Sequence, residues 1–404
     1  MKLGCVADDY TGATDLAGLL RRSGASVKLH FGLPKTPSDE LADIEIIALK
    51  CRTEPVDQAI SACVSAAHWL LAGGAKRLYW KYCSTFDSTA QGNIGPVAEA
   101  LMAVTGQTQA LYCPAFPENG RAVFMGHLFV AAQLLNESSM KDHPLTPMSD
   151  ANLARVLAPQ VEGSSAIWNR VDQKQGIPIP DATHIIGDAV EFPDLEFLIE
   201  NTPDNVLLTG GSALAMPLPN HLGIASTHEV VDPKPNSRAL ILSGSCSQMT
   251  QQQVADYVAN NPSYQLHPES LGETTIQDCA DWLQSLQPGE TSLVYATANP
   301  EAVKAAQSVL GVAEAGAIIE RAMGQIAKKA FVMGVRRFVV AGGETSGAVT
   351  QALHVSEVMI GREICPGVPW VFSGSDSNLV GLALKSGNFG SPSFFSDALA
   401  ILED

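Results

Sequence analysis

Leu3-Gly4-Cys5-Val6-Ala7-Asp8-Asp9-Tyr10-Thr11-Gly12-Ala13-Thr14-Asp15 begins as a short apolar run, stops on two acids and passes directly into a helical pattern. A strand that ends in polar residues and turns at once into a helix is the opening of a βαβ unit. Working outward, Val27–Phe31, Ile44–Leu49, Leu78–Trp80 and Ala110–Cys113 read as further buried strands. Between them, Val56–Leu71 carries Val56, Ile60, Val64 and Ala67 at helical spacing. The alternation predicts an α/β fold: two α/β domains, each built on a largely parallel sheet.

The chain has 404 residues, enough for two domains at roughly 150 residues each. Lys and Arg number 25 and Asp and Glu 42, a net charge of −17 that opposes nucleic acid phosphates and anionic membrane surfaces. No apolar run approaches the ~20 residues of a bilayer span. Small molecules are therefore the expected partners, with no nucleic acid and no membrane; a homo-oligomer is compatible with the sequence. The eight cysteines are scattered, with no CxxC pair and no zinc spacing, as expected of reduced thiols in a cytoplasmic protein. Met1-Lys2 leads straight into the first strand without a signal-peptide pattern.

Asp232-Pro233-Lys234-Pro235-Asn236 disfavours both helix and central strand, which sets the domains at 1–231 and 238–404 with a linker at 232–237. Before it, the Pro117–Gly120 turn and Arg121–Val130 predict an antiparallel excursion. Glu137–Asp150 reads as a loop, after which Ser149 or Asp150 caps a helix through Leu157, and Val206–Ala213 reads as a β-turn-α signal. After it come strands at Ala239–Leu242, Leu293–Ala296 and Arg337–Ala341, and helices from Gln248 and over Val312–Met333.

Four groups of residues could carry chemistry. Asp8 and Asp9 sit where an α/β sheet forms its ligand crevice, and a carboxylate there can orient a hydroxyl and accept its proton; capping the first helix is the competing use. Lys81-Tyr82-Cys83-Ser84-Thr85-Phe86-Asp87-Ser88-Thr89 follows a strand and offers one cation, one acid and several hydroxyls, a composition suited to a sugar acid. Arg121 could bind a carboxylate bidentately, and His127, by default a half-buried strand histidine, stands among the substrate-side candidates. Gly342-Gly343-Glu344-Thr345-Ser346-Gly347, between a strand and a helix, has the glycines, hydroxyls and helix N-terminus of a phosphate cradle, although it matches neither GxxxxGK[ST] nor GxGxxG. Ser243-Gly244-Ser245 and Lys385-Ser386-Gly387-Asn388-Phe389-Gly390 add two more such loops.

Taken together, these motifs and Cys113-Pro114-Ala115-Phe116-Pro117-Glu118-Asn119-Gly120-Arg121 resemble the four-carbon acid sugar kinase family, and within it the branch acting on 3-oxo-tetronate, over essentially the whole chain. The resemblance implies an N-terminal sugar-acid-binding domain, a C-terminal ATP-binding domain, the active site in the interdomain cleft, and ATP and Mg²⁺ as cofactors. On the substrate side it implies the Asp8-Asp9 turn, the Lys81–Asp87 region and Arg121; Asp9, or failing that Asp8, is the expected base, and Ser88 and His127 join these as substrate-binding candidates read from the residues themselves. On the nucleotide side it implies Ser243, Gly244, Ser245, Gly342, Gly343, Glu344, Thr345 and Gly387; the metal ligands stay unassigned. The activity expected is transfer of the ATP γ-phosphoryl group to the C4 hydroxyl of 3-oxo-tetronate. An erythronate or threonate 4-kinase, a Rossmann-type sugar-acid dehydrogenase and a noncatalytic sugar-acid binder are the alternatives.

Overall fold

The computed structural model describes residues 1–34, 41–143, 146–224, 233–235, 238–287, 290–374 and 378–402. The chain divides into two compact units, Met1–Glu229 and Val230–Asp404.

Unit 1 begins with β1 (Leu3–Ala7), α1 (Tyr10–Arg21), β2 (Val27–Phe31), β3 (Ile44–Ala48), α2 (Val56–Ala72) and β4 (Arg77–Lys81). It continues through α3 (Ile94–Thr105), β5 (Gln109–Cys113), β6 (Arg121–Phe124), β7 (His127–Val130), β8 (Gln133–Leu134) and α4 (Leu153–Leu157). It closes with β9 (Ser165–Trp168), α5 (Arg170–Lys174), β10 (His184–Gly187), α6 (Phe192–Asn201), β11 (Val206–Gly210) and α7 (Leu218–His221). Eight of these strands form a parallel sheet in the order β2-β3-β1-β4-β11-β5-β10-β9. Every residue of β1, β3 and β4 is buried, because helices cover both faces of a parallel sheet; that is why these strands read as continuous apolar runs rather than alternating ones. Tyr79, Trp80, Tyr82, Tyr112 and Trp168 fill the interior, each removing enough apolar surface from water to contribute about 1.5–3 kcal/mol.

The strand order fixes the functional edge. β1 lies between β3 and β4, with Ala7 level with Ala48 on one side and Lys81 on the other. The loops that leave these three strands therefore start side by side, at the carboxyl edge where such sheets bind ligands.

The antiparallel excursion is present as a separate small sheet, β6-β7-β8, entered through a short 3-10 turn at Pro117–Asn119. Phe124 pairs with His127 around Met125-Gly126, both at positive φ (+50° and +70°). The buried Asp188 carboxylate holds this turn, accepting the N–H groups of Met125 (2.6 Å), Gly126 (2.9 Å) and Arg170 (3.0 Å). Two local expectations are corrected. The segment 137–150 contains 3-10 turns at Leu135–Glu137 and Ser139–Asp142, and α4 is capped by Asn152, not Ser149 or Asp150; the Asp150 carboxylate is engaged instead by Arg155. After β11 there is a 3-10 turn and the short α7 rather than a full helix.

Unit 2 contains β12 (Ala239–Ser243), α8 (Gln248–Val258), β13 (Ser263–Gln265), α9 (Glu273–Ser285), β14 (Ser292–Tyr295), α10 (Pro300–Leu310) and α11 (Val312–Val332). Then follow β15 (Arg337–Ala341), α12 (Gly343–Ala352), β16 (Glu357–Cys365), β17 (Val368–Ser373), β18 (Val380–Lys385) and α13 (Phe394–Ile401). Its strands run β13-β14-β12-β15-β18-β17-β16. The first five are parallel, whereas β16 and β17 are antiparallel additions beside β18 that the sequence reading did not identify. Trp370, Phe372, Val339 and Phe394 pack in one core cluster. Of the expected linker, only residues 233–235 lie among the described residues.

Replacing Asp188 with Ala strips three N–H groups of their acceptor, and the buried Gly126 N–H alone costs about 1–3 kcal/mol when left unmade. Asp188→Ala should lower the urea midpoint of unit 1 and speed amide exchange at Val123, Met125 and Gly126; an unchanged midpoint would refute this role.

Candidate active site

At the carboxyl edge of unit 1 the three adjacent strand ends deliver five charged side chains to one place. Asp8 and Asp9 follow β1, Arg52 follows β3, Lys81 ends β4, and Asp87 lies on the loop beyond it. Arg52 donates to Asp8 through Nε (2.7 Å) and Nη2 (2.9 Å), a bidentate pair, while Nη2 lies 3.0 Å from Asp9 Oδ1 and Nη1 3.7 Å from Asp87 Oδ2. Asp9 also caps α1: its Oδ1 accepts the Gly12 N–H (2.9 Å) and its Oδ2 the Thr11 hydroxyl (2.8 Å). Lys81, almost fully buried, donates to the Tyr82 carbonyl at 2.9 Å, and a Cβ on Gly12 would stand 3.0 Å from its Nζ. The Asp87 carboxylate accepts the Thr85 hydroxyl at 2.6 Å.

These environments separate the adjacent acids. Burial pushes the Asp8 carboxyl above the usual carboxylate range despite Arg52. At Asp9 burial acts in the same direction, but Arg52, Lys81 and the Thr11 and Gly12 hydrogen bonds outweigh it, and its carboxyl falls below that range. Asp9 is also the less enclosed of the two, with 23% of its side chain exposed against 5% for Asp8.

Unit 2 repeats the geometry with backbone instead of charge. Ser243 is level with Ala341 and Ala341 with Lys385, so the loops after β12, β15 and β18 also emerge together. Each of these loops has a glycine that borders a neighbouring loop. A Cβ on Gly244 would lie 2.2 Å from Thr345 Oγ1; one on Gly342, at φ +124°, 3.0 Å from that oxygen and 3.2 Å from the Ser245 nitrogen; one on Gly387, 2.8 Å from Ser245 Oγ. The first intrahelical bond of α12 runs from the Ser346 N–H to the Gly342 carbonyl (2.8 Å), so the amides of Gly343, Glu344 and Thr345 lie in its first turn. The expected cradle is thereby corrected: Gly342 alone is a turn residue, Gly343 onward is helix, and Ser346 and Gly347 are buried within it. A space that side chains would fill, edged by amides and hydroxyls at a helix N-terminus, fits a polyphosphate.

Residues from outside the candidate set complete this wall. Thr297 Oγ1 donates to the Ser245 carbonyl (2.8 Å) and shares a 2.7 Å hydrogen bond with Ser243 Oγ. Ser247 and Thr250 donate to the Gly387 carbonyl at 2.6 and 2.8 Å. The fully buried Lys385 Nζ donates to the Ser386 and Gly387 carbonyls, both at 2.9 Å, and to Thr250 Oγ1 at 3.2 Å. Burial pulls its ammonium down to about 7.

The other candidates are placed differently. Ser88 is buried with its hydroxyl accepting from Gln160 Nε2 at 2.9 Å. His127 has Nδ1 on the Met125 carbonyl (2.8 Å) and Nε2 3.4 Å from Asn152 Nδ2, so one ring nitrogen faces the hairpin turn and the other the N-cap of α4. Arg121 donates to the Asn119 carbonyl, while its Nε is buried with no partner. Among the described contacts, none joins Ser88, Arg121 or His127 to the acid cluster. A cavity of about 570 Å³ lined by Leu33, Leu49, Asp57, Gln58 and Ser61 shares no residue with either cluster.

Residues 3–218 match the family described as the sugar-binding N-terminal domain, and residues 240–395 match the nucleotide-binding C-terminal domain. The chain is 44% identical over 418 residues to a Burkholderia multivorans protein named 3-oxo-tetronate kinase, covering 99% of this chain and 97% of that one. The chain belongs to the four-carbon acid sugar kinase family. A second family member, from Pseudomonas fluorescens and also named 3-oxo-tetronate kinase, is 45% identical over 422 residues, with 99% and 97% coverage. A crystal structure from Salmonella typhimurium LT2, carrying a provisional tRNA synthase label, superposes with a TM-score of 0.86 at 38% identity over 98% of both chains, so the fold described above is shared.

Lys385 gives a pH test of the nucleotide-side wall. A lysine near 7 in the folded chain and near 10.5 unfolded makes stability rise with pH between those values, by about 2 kcal/mol from pH 7 to pH 9. Denaturant unfolding of the native chain should show that rise relative to Lys385→Met, which lacks the titrating group; parallel pH profiles would refute the depressed lysine.

Proposed function

We propose that this chain transfers the γ-phosphoryl group of ATP to the C4 hydroxyl of a four-carbon sugar acid, 3-oxo-tetronate, with the sugar acid held by unit 1 and ATP by unit 2. The observation that supports this most is the full-length match to relatives named 3-oxo-tetronate kinase, in a chain that carries an acid cluster on one sheet edge and a glycine cradle on another.

The charge balance of the acid cluster assigns the substrate's orientation. Asp8, Asp9 and Asp87 against Arg52 and Lys81 leave a net of −1, so a further carboxylate is unwelcome there, whereas a hydroxyl finds acceptors. The C4 end of the sugar acid is assigned to this cluster. Asp9, the more exposed acid, accepts the hydroxyl's hydrogen bond and then its proton; Asp8 stays locked to Arg52. The substrate carboxylate is assigned to Arg121, whose Nε lacks a protein partner, rather than to Lys81, which is already occupied.

On unit 2, the N-terminal turn of α12 and the Ser243–Ser245 and Gly387 loops are assigned to the triphosphate. Helix-end attraction supplies at most ~2 kcal/mol and micromolar binding needs about 8 kcal/mol, so the fitted loop backbones carry most of the selectivity. Among the described residues no group of three or more His, Cys, Asp or Glu side chains could hold a metal. Mg²⁺ would therefore be held chiefly by the phosphates, with Glu344 as the acid nearest the cradle in sequence, and would supply charge neutralisation. Positioning and electrostatics dominate such transfers, so the chain's own work is to orient the hydroxyl, take its proton and fix the phosphates.

The dehydrogenase alternative fails on an observation: the α1 N-terminus, where a Rossmann fold seats its pyrophosphate, has its Gly12 amide taken by Asp9. A role on RNA is opposed by the net charge of −17.

The test is ADP release from Mg·ATP across a panel of four-carbon sugar acids, with 3-oxo-tetronate expected to be preferred. Asp9→Asn should lower turnover by about 10²–10⁴ with ATP affinity unchanged. Gly387→Val should raise KM for ATP at least about tenfold by forcing the loop off Ser245. Absence of acceptor-dependent ADP, or ATP binding indifferent to Gly387→Val, would overturn the assignment.

A further inference from the structure

Arg52 is held at both ends. Its backbone is braced by the buried Asn93, whose Nδ2 donates to the carbonyls of Cys51 (2.7 Å), Arg52 (3.3 Å) and Glu54 (2.9 Å), while the Cys51 N–H donates to the Asp8 carbonyl at 3.0 Å. Asn93 stands at the head of α3, so a helix of unit 1 fixes where the guanidinium begins. Its other end is fixed by the two Asp8 oxygens and the adjacent Asp9 Oδ1. A planar fork can hold two neighbouring carboxylates in one fixed relation; an ammonium, being a point charge, cannot.

Building on the kinase reading above, we propose that Arg52 is the positioning residue of the acceptor site: its fork sets the Asp8 and Asp9 carboxylates in the arrangement that receives the substrate hydroxyl, with Asp87 beside its remaining edge. It acts through these acids and not by touching the reacting atoms. The charged and titratable groups facing it are Asp8 and Asp9 from the β1–α1 turn, Lys81 at the end of β4, Cys83 and Asp87 on the following loop, and Cys51 on its own. With Arg52 present, Asp9 lies below the usual carboxylate range; without it, burial acts on Asp9 with only Lys81 and the Thr11 and Gly12 hydrogen bonds left to oppose it.

The experiment compares Arg52→Gln and Arg52→Lys with the native chain. Arg52→Gln should lower kcat by about 100-fold, the loss expected of a small misplacement of a reacting group, with KM for ATP unchanged. The acid limb of its kcat profile should move to higher pH by about one unit, since an attractive charge has been removed from the base. Arg52→Lys keeps the charge and removes the fork; it should leave the acid limb near its native position yet recover little of kcat, and it serves as the readout should the Gln variant not fold. Equal loss of kcat and ATP affinity with no displaced limb, native kcat in Arg52→Gln, or full activity in Arg52→Lys would each overturn the proposal.

If the native chain forms no ADP with any tetronate, the kinase reading fails by itself, and Arg52 is judged on urea unfolding. The midpoint deficit of Arg52→Gln should widen between pH 5 and pH 8, where the acids it neutralised are ionised; a deficit independent of pH overturns the charge-setting role.

Discussion

Ionised carboxylates are expensive to take out of water unless each finds a cation or a set of N–H and O–H donors. Unit 1 places two of them in succession at the end of its central strand, and much of its local architecture answers that demand. The neighbouring strands β3 and β4 bring an arginine and a lysine to the same level, because parallel register makes their ends coincide. The first helix contributes its own amide and a threonine hydroxyl. The acids end up distinct in their proton affinity although adjacent in sequence, since one is enclosed with a single guanidinium and the other shares cations and hydrogen bonds at a more open position.

Unit 2 solves the converse problem. The phosphate site proposed for unit 2 would need donors, and in a chain with 25 basic against 42 acidic residues it would draw them from backbone and hydroxyl groups. The same register rule brings three loops together, but here the side chains withdraw and the main chains approach. Lys385, the one lysine in this wall, is directed at loop carbonyls and shapes the wall from behind.

Much of this was legible in the sequence. Leu3–Ala7 and Arg337–Ala341 are strands with the bounds their apolar runs announce, and α1 follows directly on the acid pair, whereas α12 begins at Gly343, inside the glycine string that reads as a loop. The acid pair, Lys81, Asp87 and the glycine loops were likewise identifiable as strand-end residues. Arg52 carries no motif signal, since its turn Leu49-Lys50-Cys51-Arg52 has no glycine and no hydroxyl; its meaning comes from following a strand that lies beside β1. Thr297 and Thr250 gave no sequence signal, since a single threonine acquires meaning only from the register that places it. The β16–β17 pair was missed because its run follows a helix as a parallel strand would, and only its pairing beside β18 distinguishes it. Asn152 overrode Ser149 and Asp150 as a cap because Asp150 is drawn to Arg155.

The contact between the loops of Gly244, Gly342 and Gly387 has a consequence for how this wall can change over time. Each of these positions borders atoms contributed by another loop, so room at one is defined by the bulk at the next. Variation here must then be concerted: a larger residue in one loop becomes tolerable only after its neighbour has shrunk, and single steps pass through clashes. The nucleotide-side wall should drift as a block, while surface helices of the same unit vary residue by residue.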